Sequence, residues 1–571
     1  MKQASVETTA DAYLEMLAAR GIEYFFGNGG TDFGPIVDAY ARRLELELPV
    51  PTPVTVPHEI PLIAMAQAYT MVTGRPQVAM VHTIAGAANS LGGLITAARG
   101  NLPLLFTAGR TPINEQGQRG TRTGAINWGQ ESFDQGAMLR EWMKWDYELR
   151  HGNDIEAIVD RALAISQTEP QGPVYLTLPR EVLAEEVESF AYSEKPRMRA
   201  PLMRPDDDTV DEVARLLAGA KNPVIVTRAL GRDQSAVPEL VKLAERVGAA
   251  VFDLVGFQAY YNFPLTNPLH AGSDVGPFLP DADVVLVIEC DVPWVIGSGR
   301  EPGENATIIS LGHDPLYSRI PVRGFRIDVP VAGQPRLSLQ AINEALSSLS
   351  IDEAAREQRR QRWAEHQHKM VKALEERALA GRSSRPLSKA WVSYCMEQLR
   401  DESTVMVNEL GFDPTYFRYS HPGSIYAFSS AGVLGWGVGA ALGIKLAAPE
   451  RTVIAGLGDG SYMFGVPEAG HWVSRKMGLP VLYVIWNNAQ WGAVANATRQ
   501  VFPEGWAARN HNFAFTDLSP SIDFEKICEA AGGYGERVED PEEVLPALQR
   551  GLHAVRVEKR TALINMIGEQ R

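Results

Sequence analysis

Cysteine is scarce in this chain. Only three are present, Cys290, Cys395 and Cys528, scattered and odd in number, so neither a disulfide framework nor a Cys-x-x-Cys metal site can be read from them. Positive charge is in deficit as well. With 54 Lys and Arg against 69 Asp and Glu, the net charge of −15 argues against nucleic acid or an anionic membrane as the main partner, since both need a basic face. A small anionic ligand stays compatible with that balance, because a metal ion or a helix N-terminus can hold one locally. Long apolar runs are missing too. The most membrane-like stretch, Ala431 to Ile444, is Gly-rich and ends at Lys445 after 14 residues, short of the ~20 needed to span a bilayer. Met1-Lys2-Gln3-Ala4-Ser5 leads into an amphipathic stretch without the apolar core of a signal peptide. The expectation is a cytoplasmic protein with reduced thiols.

What is present is ordinary for a large globular chain: 571 residues, 45% apolar and 22% charged, enough for about three or four domains. Amphipathic helical stretches alternate with short β-branched runs, among them Gln77–His82, Leu104–Ala108, Val174–Leu178, Pro223–Thr227, Val284–Glu289, Thr452–Gly456 and Val481–Trp486. That alternation predicts an α/β fold with three domains, each a mostly parallel sheet flanked by helices. Glu186 to Asp208 reads as a polar linker. Ile351 to Pro386 reads as charge-rich and helical up to Ala380, then broken. The expected partition is 1–190, 200–345, a helical linker at 346–385, and 386–571.

The third block carries the most chemistry. An apolar strand from Thr452 ends in Gly458-Asp459-Gly460-Ser461, and a second, Val481–Trp486, ends in Asn487-Asn488. A strand–helix–strand crossover sets the ends of parallel strands side by side. Asp459 and the Asn pair are therefore expected at one carboxyl edge, where open α/β sheets bind ligands. One carboxylate with amide and backbone oxygens is a hard-oxygen set suited to Mg²⁺ completed by diphosphate oxygens. Gly458 and Gly460 would let backbone approach phosphate without a Cβ.

This GDG…NN pattern resembles the diphosphate-binding signature of the thiamine-diphosphate enzymes. The likeness continues through Glu59, Gly74-Arg75-Pro76, His82–Asn89 and Asn101–Leu105, and spans essentially the whole chain, the middle block being least diagnostic. A lone Glu opening a helix is ordinarily a dipole partner. The resemblance instead implies that Glu59 is the activating glutamate, hydrogen-bonded to the cofactor's aminopyrimidine so that the ring can take the thiazolium C2 proton. It further implies that Asp459, Asn488 and the backbone carbonyl of Gln490 hold the metal. Gly458, Gly460 and Ser461 would line the diphosphate, Gly432 would offer its carbonyl to the amino group, and Leu434 would prop the cofactor. Read from residues alone, Gly432 to Gly439 is a Gly-rich helix packed tightly on the sheet.

Around the reacting centre the first block is similar to benzoylformate decarboxylase. Gly29, Gly30 and Thr31 stand in its substrate loop, and His82 matches one catalytic histidine, a group able to move protons near neutral pH. That enzyme's other active-site histidine has no match. Gln130, before Glu131, falls where acetolactate synthases place a substrate-facing glutamine, and Trp491 and Ala493 would shape the pocket. The leading expectation is a lyase or carboligase acting on 2-oxo acids. The alternatives are a 2-hydroxyacyl-CoA lyase giving formyl-CoA, and a catalytically silent cofactor-binding protein. Ala493 stands where some acyl-CoA lyases carry a glutamate, and only Gly568-Glu569-Gln570-Arg571 follow the last predicted strand, too few for a lid. The segment Arg228 to Arg232 would bind FAD or ADP, or the middle domain is an empty scaffold, the reading favoured here. The resemblance also implies a homodimer or homotetramer with active sites at the subunit interface.

Overall fold

The computed structural model describes residues 1–254, 260–428 and 430–569; Gln570 and Arg571, on which the reading of a short tail partly rests, lie outside them. The chain forms two compact units, neither continuous in sequence. The first takes residues 1–201, 429–449 and 461–480, the second 202–428, 450–460 and 481–571.

In the first unit a short strand β1 (Lys2–Ala4) precedes a parallel sheet of six: β2 (Tyr24–Gly27), β3 (Thr52–Thr55), β4 (Val78–Val81), β5 (Leu104–Arg110), β6 (Asp146–Glu148) and β7 (Pro173–Pro179), ordered β3-β2-β4-β5-β7-β6. β4 is buried at every residue and β5 at all but the last, as expected of parallel strands covered on both faces. The stretch read as a linker holds one more strand, β8 (Phe190–Tyr192), paired antiparallel with β1. Three residues are too few for a readable period. Burial decides it: Phe190 and Tyr192 are both covered, and the Tyr192 hydroxyl donates to Glu15 at 2.6 Å.

The second unit contains two more parallel sheets. β9 (Pro223–Thr227), β10 (Ala250–Asp253), β11 (His270–Gly272), β12 (Val284–Ile288), β13 (Thr307–Gly312) and β14 (Val329–Ala332) are ordered β11-β10-β9-β12-β13-β14. β15 (Thr404–Glu409), β16 (Ile425–Ala427), β17 (Thr452–Gly458), β18 (Leu482–Asn487), β19 (Tyr534–Val538) and β20 (Ala562–Ile567) are ordered β16-β15-β17-β18-β20-β19. Counted in chain order, the first and last sheets share one strand order, second-first-third-fourth-sixth-fifth, a repeat that no short sequence period announces. The middle sheet differs, running third-second-first-fourth-fifth-sixth.

Each order reverses direction beside its first strand, and open α/β sheets bind ligands in the crevice at such a switch. It lies between β2 and β4, between β9 and β12, and between β15 and β17. The charge-rich linker forms the predicted helix, Glu353–Ala380, with Asp352 accepting from the Ala355 N–H as its cap. Among the described residues no helix is long and apolar enough to cross a membrane.

Candidate active site

In the first unit β2, β3 and β4 deliver three chain segments to one edge. β3 ends at Thr55, and the helix Glu59–Thr73 follows, closed by Gly74 at φ +68°, the left-handed end that glycine accepts most easily. The side chain capping this helix is His58, whose Nδ1 accepts from the Ile60 N–H at 3.2 Å. Glu59 is released from that duty. It is 6% exposed, and both its oxygens accept from amides, Oε1 from Asn28 Nδ2 at 2.9 Å and Oε2 from Asn89 Nδ2 at 3.3 Å. Glu59 thus stands in the first turn of the helix with its side chain clamped.

His82 follows β4. Its Nδ1 meets Asp32 Oδ1, and its Nε2 lies 2.9 Å from Gln130 Nε2. The Asp32 hydrogen bond holds the imidazole above its ordinary value against the opposing effect of burial, and the charges of Asp32 and Glu59 add to the rise. Two glycines make room for the pair: a Cβ on Gly30 would overlap the His82 ring, and one on Gly109 the Asp32 carboxylate. Thr83, the next residue, is buried at φ +40°, a strained state for a β-branched residue and one that gathers at functional sites. Gln130 is half-buried, and its loop is anchored by Glu131, which binds Arg110 at 2.9 Å and also Arg122. Gly29 and Thr31 are exposed.

Gly432 (φ +65°) and Gly435 (φ +92°) shape the turn before the helix Trp436–Ala447, with Leu434 half-buried between them. The helix is buried along nearly its whole length. Cβ atoms on Gly439 and Gly443 would overlap the backbone of Pro61 and Met65, so the glycines serve a helix-on-helix approach to the Glu59 helix.

In the second unit Gly458 pairs with Trp486 in the β17–β18 register, which sets Asp459 beside the Asn pair as the spacing predicts. Asp459 is buried, its Oδ1 accepts from the Gly460 N–H at 2.7 Å, and its Oδ2 has no partner. Burial pushes its carboxyl up, offset by N–H groups of Gly460, Ala489, Gln490 and Asn488. The Asn pair divides its labour. Asn487 is structural, donating to Ser521 Oγ at 2.7 Å and Asn565 Oδ1 at 3.0 Å. Asn488 faces the loop, its Oδ1 accepting from the Gln490 N–H at 3.3 Å. The Gln490 carbonyl already accepts from Gly492 at 2.8 Å, whereas its side-chain Oε1 is buried without a partner. Gly460 has a nearer reason than phosphate to lack a Cβ, which would overlap the Trp491 indole. Ser461 is buried and Ala493 exposed.

These donors fit a hard divalent cation: one buried carboxylate with an unsatisfied oxygen beside neutral amide oxygens. Among the described residues no three or more His, Cys, Asp or Glu side chains gather as a metal site, so Asp459 would be the sole charged protein ligand. At the corresponding switch point of the middle sheet two arginines pair with carboxylates of the same unit. Arg228 pairs with Asp291 at 2.6 Å and Arg232 with Glu289 at 3.8 Å. Sequence reasoning gave no role to Asp32, Asn28, Asn89 or His58. Asn28 and Asp32 flank Gly-Gly-Thr in a loop that reads as turn chemistry, and only the fold shows what they touch.

Three family models match the chain: the N-terminal TPP binding domain of thiamine pyrophosphate enzymes over residues 7–138, their central domain over 210–342, and their C-terminal TPP binding domain over 413–566. Sulfoacetaldehyde acetyltransferase of Castellaniella defragrans is 26% identical, the match covering 98% of this chain and 93% of that protein. Benzoylformate decarboxylase of Pseudomonas aeruginosa is 24% identical over 86% of this chain and 87% of its own. The fold is that of the thiamine diphosphate-dependent 4-hydroxybenzoylformate decarboxylase of Rhodococcus jostii RHA1, with a TM-score of 0.79 at 22% identity over 99% of both chains. With all three models matched in order along most of its length, and the Glu59 and Asp459 clusters formed, the chain belongs to the thiamine pyrophosphate enzyme family.

Proposed function

We propose that this protein is a thiamine-diphosphate- and Mg²⁺-dependent lyase or carboligase acting on 2-oxo acids. The observation that carries the reading is the clamped, buried Glu59 near the half-exposed imidazole of His82, whose side chain keeps 23% of its exposure. When bound, thiamine diphosphate supplies a nucleophilic thiazolium C2 and an electron sink for the bond that breaks. Asp459, with oxygens of Asn488 and Gln490, would hold Mg²⁺, and Gly458, Gly460 and Ser461 would line the diphosphate. Gly432 and Leu434 would seat the rings, and Glu59 would hydrogen-bond the aminopyrimidine. His82 would exchange a proton with the substrate, while Gly29, Gly30, Thr31, Gln130, Trp491 and Ala493 would shape its pocket. Ala493 offers no acid for acyl-CoA chemistry, which favours the 2-oxo acid. The ion pairs that engage Arg228 and Arg232 within the middle domain favour a scaffold over an FAD or ADP site.

The active form is a homodimer or homotetramer in the cytoplasm, its sites completed between copies. Exposed apolar side chains support this assembly: Ile126, Trp128 and Phe133 in the first unit, and Phe502, Trp506 and Phe515 in the second. The test is CO₂ release from a panel of 2-oxo acids, with thiamine diphosphate and Mg²⁺, beside cleavage of 2-hydroxyacyl-CoA substrates. CO₂ release from 2-oxo acids is expected. Turnover of acyl-CoA substrates alone would replace the reading, and neither reaction with cofactor bound would leave a silent binding protein.

A further inference from the structure

We propose that Asp32 is a positioning residue that holds His82 with its proton on Nδ1, leaving Nε2 as the nitrogen that gives and recovers the proton of the reaction, with Gln130 its partner between turnovers. The inference rests on the function proposed above and deepens it.

An ionised carboxylate only accepts. With Oδ1 of an ionised Asp32 on Nδ1, the hydrogen of that contact belongs to Nδ1, and the neutral ring then has its lone pair on Nε2. The Gln130 amide nitrogen 2.9 Å away suits that state, donating to Nε2. Once Nε2 is protonated, two donors would oppose each other. A half-turn of the amide would then present Gln130 Oε1, which is buried and without a partner. One side chain thus serves both protonation states. The pair is also held in place from outside, since Gly30 and Gly109 leave room for no Cβ and the strained Thr83 fixes the backbone beside the ring. The charged groups acting on the imidazole are Asp32 and Glu59, and both favour its charged form.

In that charged form the Nε2–H bond breaks and the proton passes to the oxygen of the reacting substrate carbonyl as negative charge develops there. An O–H bond forms, the ring returns to neutral imidazole, and water at its exposed edge restores the proton. Proton transfer of this kind is worth ~10²- to 10⁴-fold in rate.

The experiment is a pH titration of the full chain, holding thiamine diphosphate and Mg²⁺, labelled with ¹⁵N/¹³C histidine and followed by NMR, with His82→Asn assigning the signal. Neutral His82 should carry its proton on Nδ1 and titrate above the ordinary value of about 6.5. In Asp32→Asn the titration should move toward acid and the tautomer should mix, because an amide can present either atom. The same variant should lose ~10²- to 10⁴-fold in kcat, KM moving less, and the alkaline limb of kcat/KM should shift to lower pH. A wild-type His82 with its neutral proton on Nε2, or titrating at or below the ordinary value, would overturn the proposal, as would an Asp32→Asn that changes neither. If that variant does not fold, the wild-type titration still decides. Gln130→Glu, at the half-exposed edge, should then raise the His82 titration further, and no rise would count against the relay. The titration needs no substrate, so it separates failure of the relay from failure of the 2-oxo acid reading.

Discussion

Glu59 and Asp459 are both buried carboxylates, yet their surroundings leave them different work. Both oxygens of Glu59 are engaged by Asn28 and Asn89, whereas Asp459 keeps one oxygen unsatisfied. Glu59→Gln retains an acceptor for Asn28 but turns an N–H toward Asn89, a mismatch worth about 1 kcal/mol. The chain should therefore fold and bind cofactor. It would lack the carboxyl proposed to hydrogen-bond the aminopyrimidine, so hydrogen–deuterium exchange at thiazolium C2, read by quenched proton NMR on bound cofactor, should slow ~10²- to 10⁴-fold. Unchanged exchange would return Glu59 to a structural role. Asp459→Ala removes a desolvated charge along with one hydrogen bond to Gly460. These oppose each other, and the ligand-free chain should stay within about 1 kcal/mol of wild type in urea unfolding. Mg²⁺-dependent cofactor binding, followed by tryptophan fluorescence, should be lost. Retained affinity would place the metal elsewhere.

At the scale of elements, glycine rather than leucine sets how the Trp436–Ala447 helix meets the Glu59 helix. Gly439→Ala tests this. Alanine is the better helix former by about 1 kcal/mol, which alone would stabilise the chain. Against that, its Cβ would lie 2.7 Å from the Pro61 Cα and overlap the carbonyl as well, and backbone cannot turn aside as a flexible side chain can. Overpacking of this kind costs about 1–3 kcal/mol, so overcrowding is expected to win and the denaturation midpoint to fall. A rise would mean that the helices separate without penalty. Sheet order works at the same scale. Because the switch points lie beside β2 and β17, Asp32, His82 and Asp459 emerge at carboxyl edges able to take a ligand.

For the whole molecule the expected active species is at least a dimer. Light scattering during turnover should find no active monomer, and the interface should be of the large, obligate kind. If Glu59 of one copy serves Asp459 of another, co-expressed Glu59→Gln and Asp459→Ala chains should recover part of the activity that neither has alone. An active monomer, or a mixture as inactive as its parts, would contradict that arrangement.

Much of this architecture was legible before folding. Parallel strands buried on both faces must be β-branched and apolar along their length, so their runs stand out, and the Glu353–Ala380 helix announces itself by composition. Asp459 and Asn488 were legible because one crossover links their strands, making their separation a local spacing. The first-to-last repeat of strand order was not, since it resides in which strands pair rather than in similar residues. Nor was the role of Asp32. Its loop reads as turn chemistry, and its contact with His82 exists only because β2 and β4 are neighbours and Gly30 and Gly109 clear the space. Sequence alone determined the fold class and the nearness of Asp459 to the Asn pair, because periodicity and short spacings encode them. Tertiary structure decided which of two adjacent asparagines is structural, that His58 rather than Glu59 caps the helix, and which carboxylate meets His82. Those outcomes depend on burial and on contacts between distant segments, which no local pattern records.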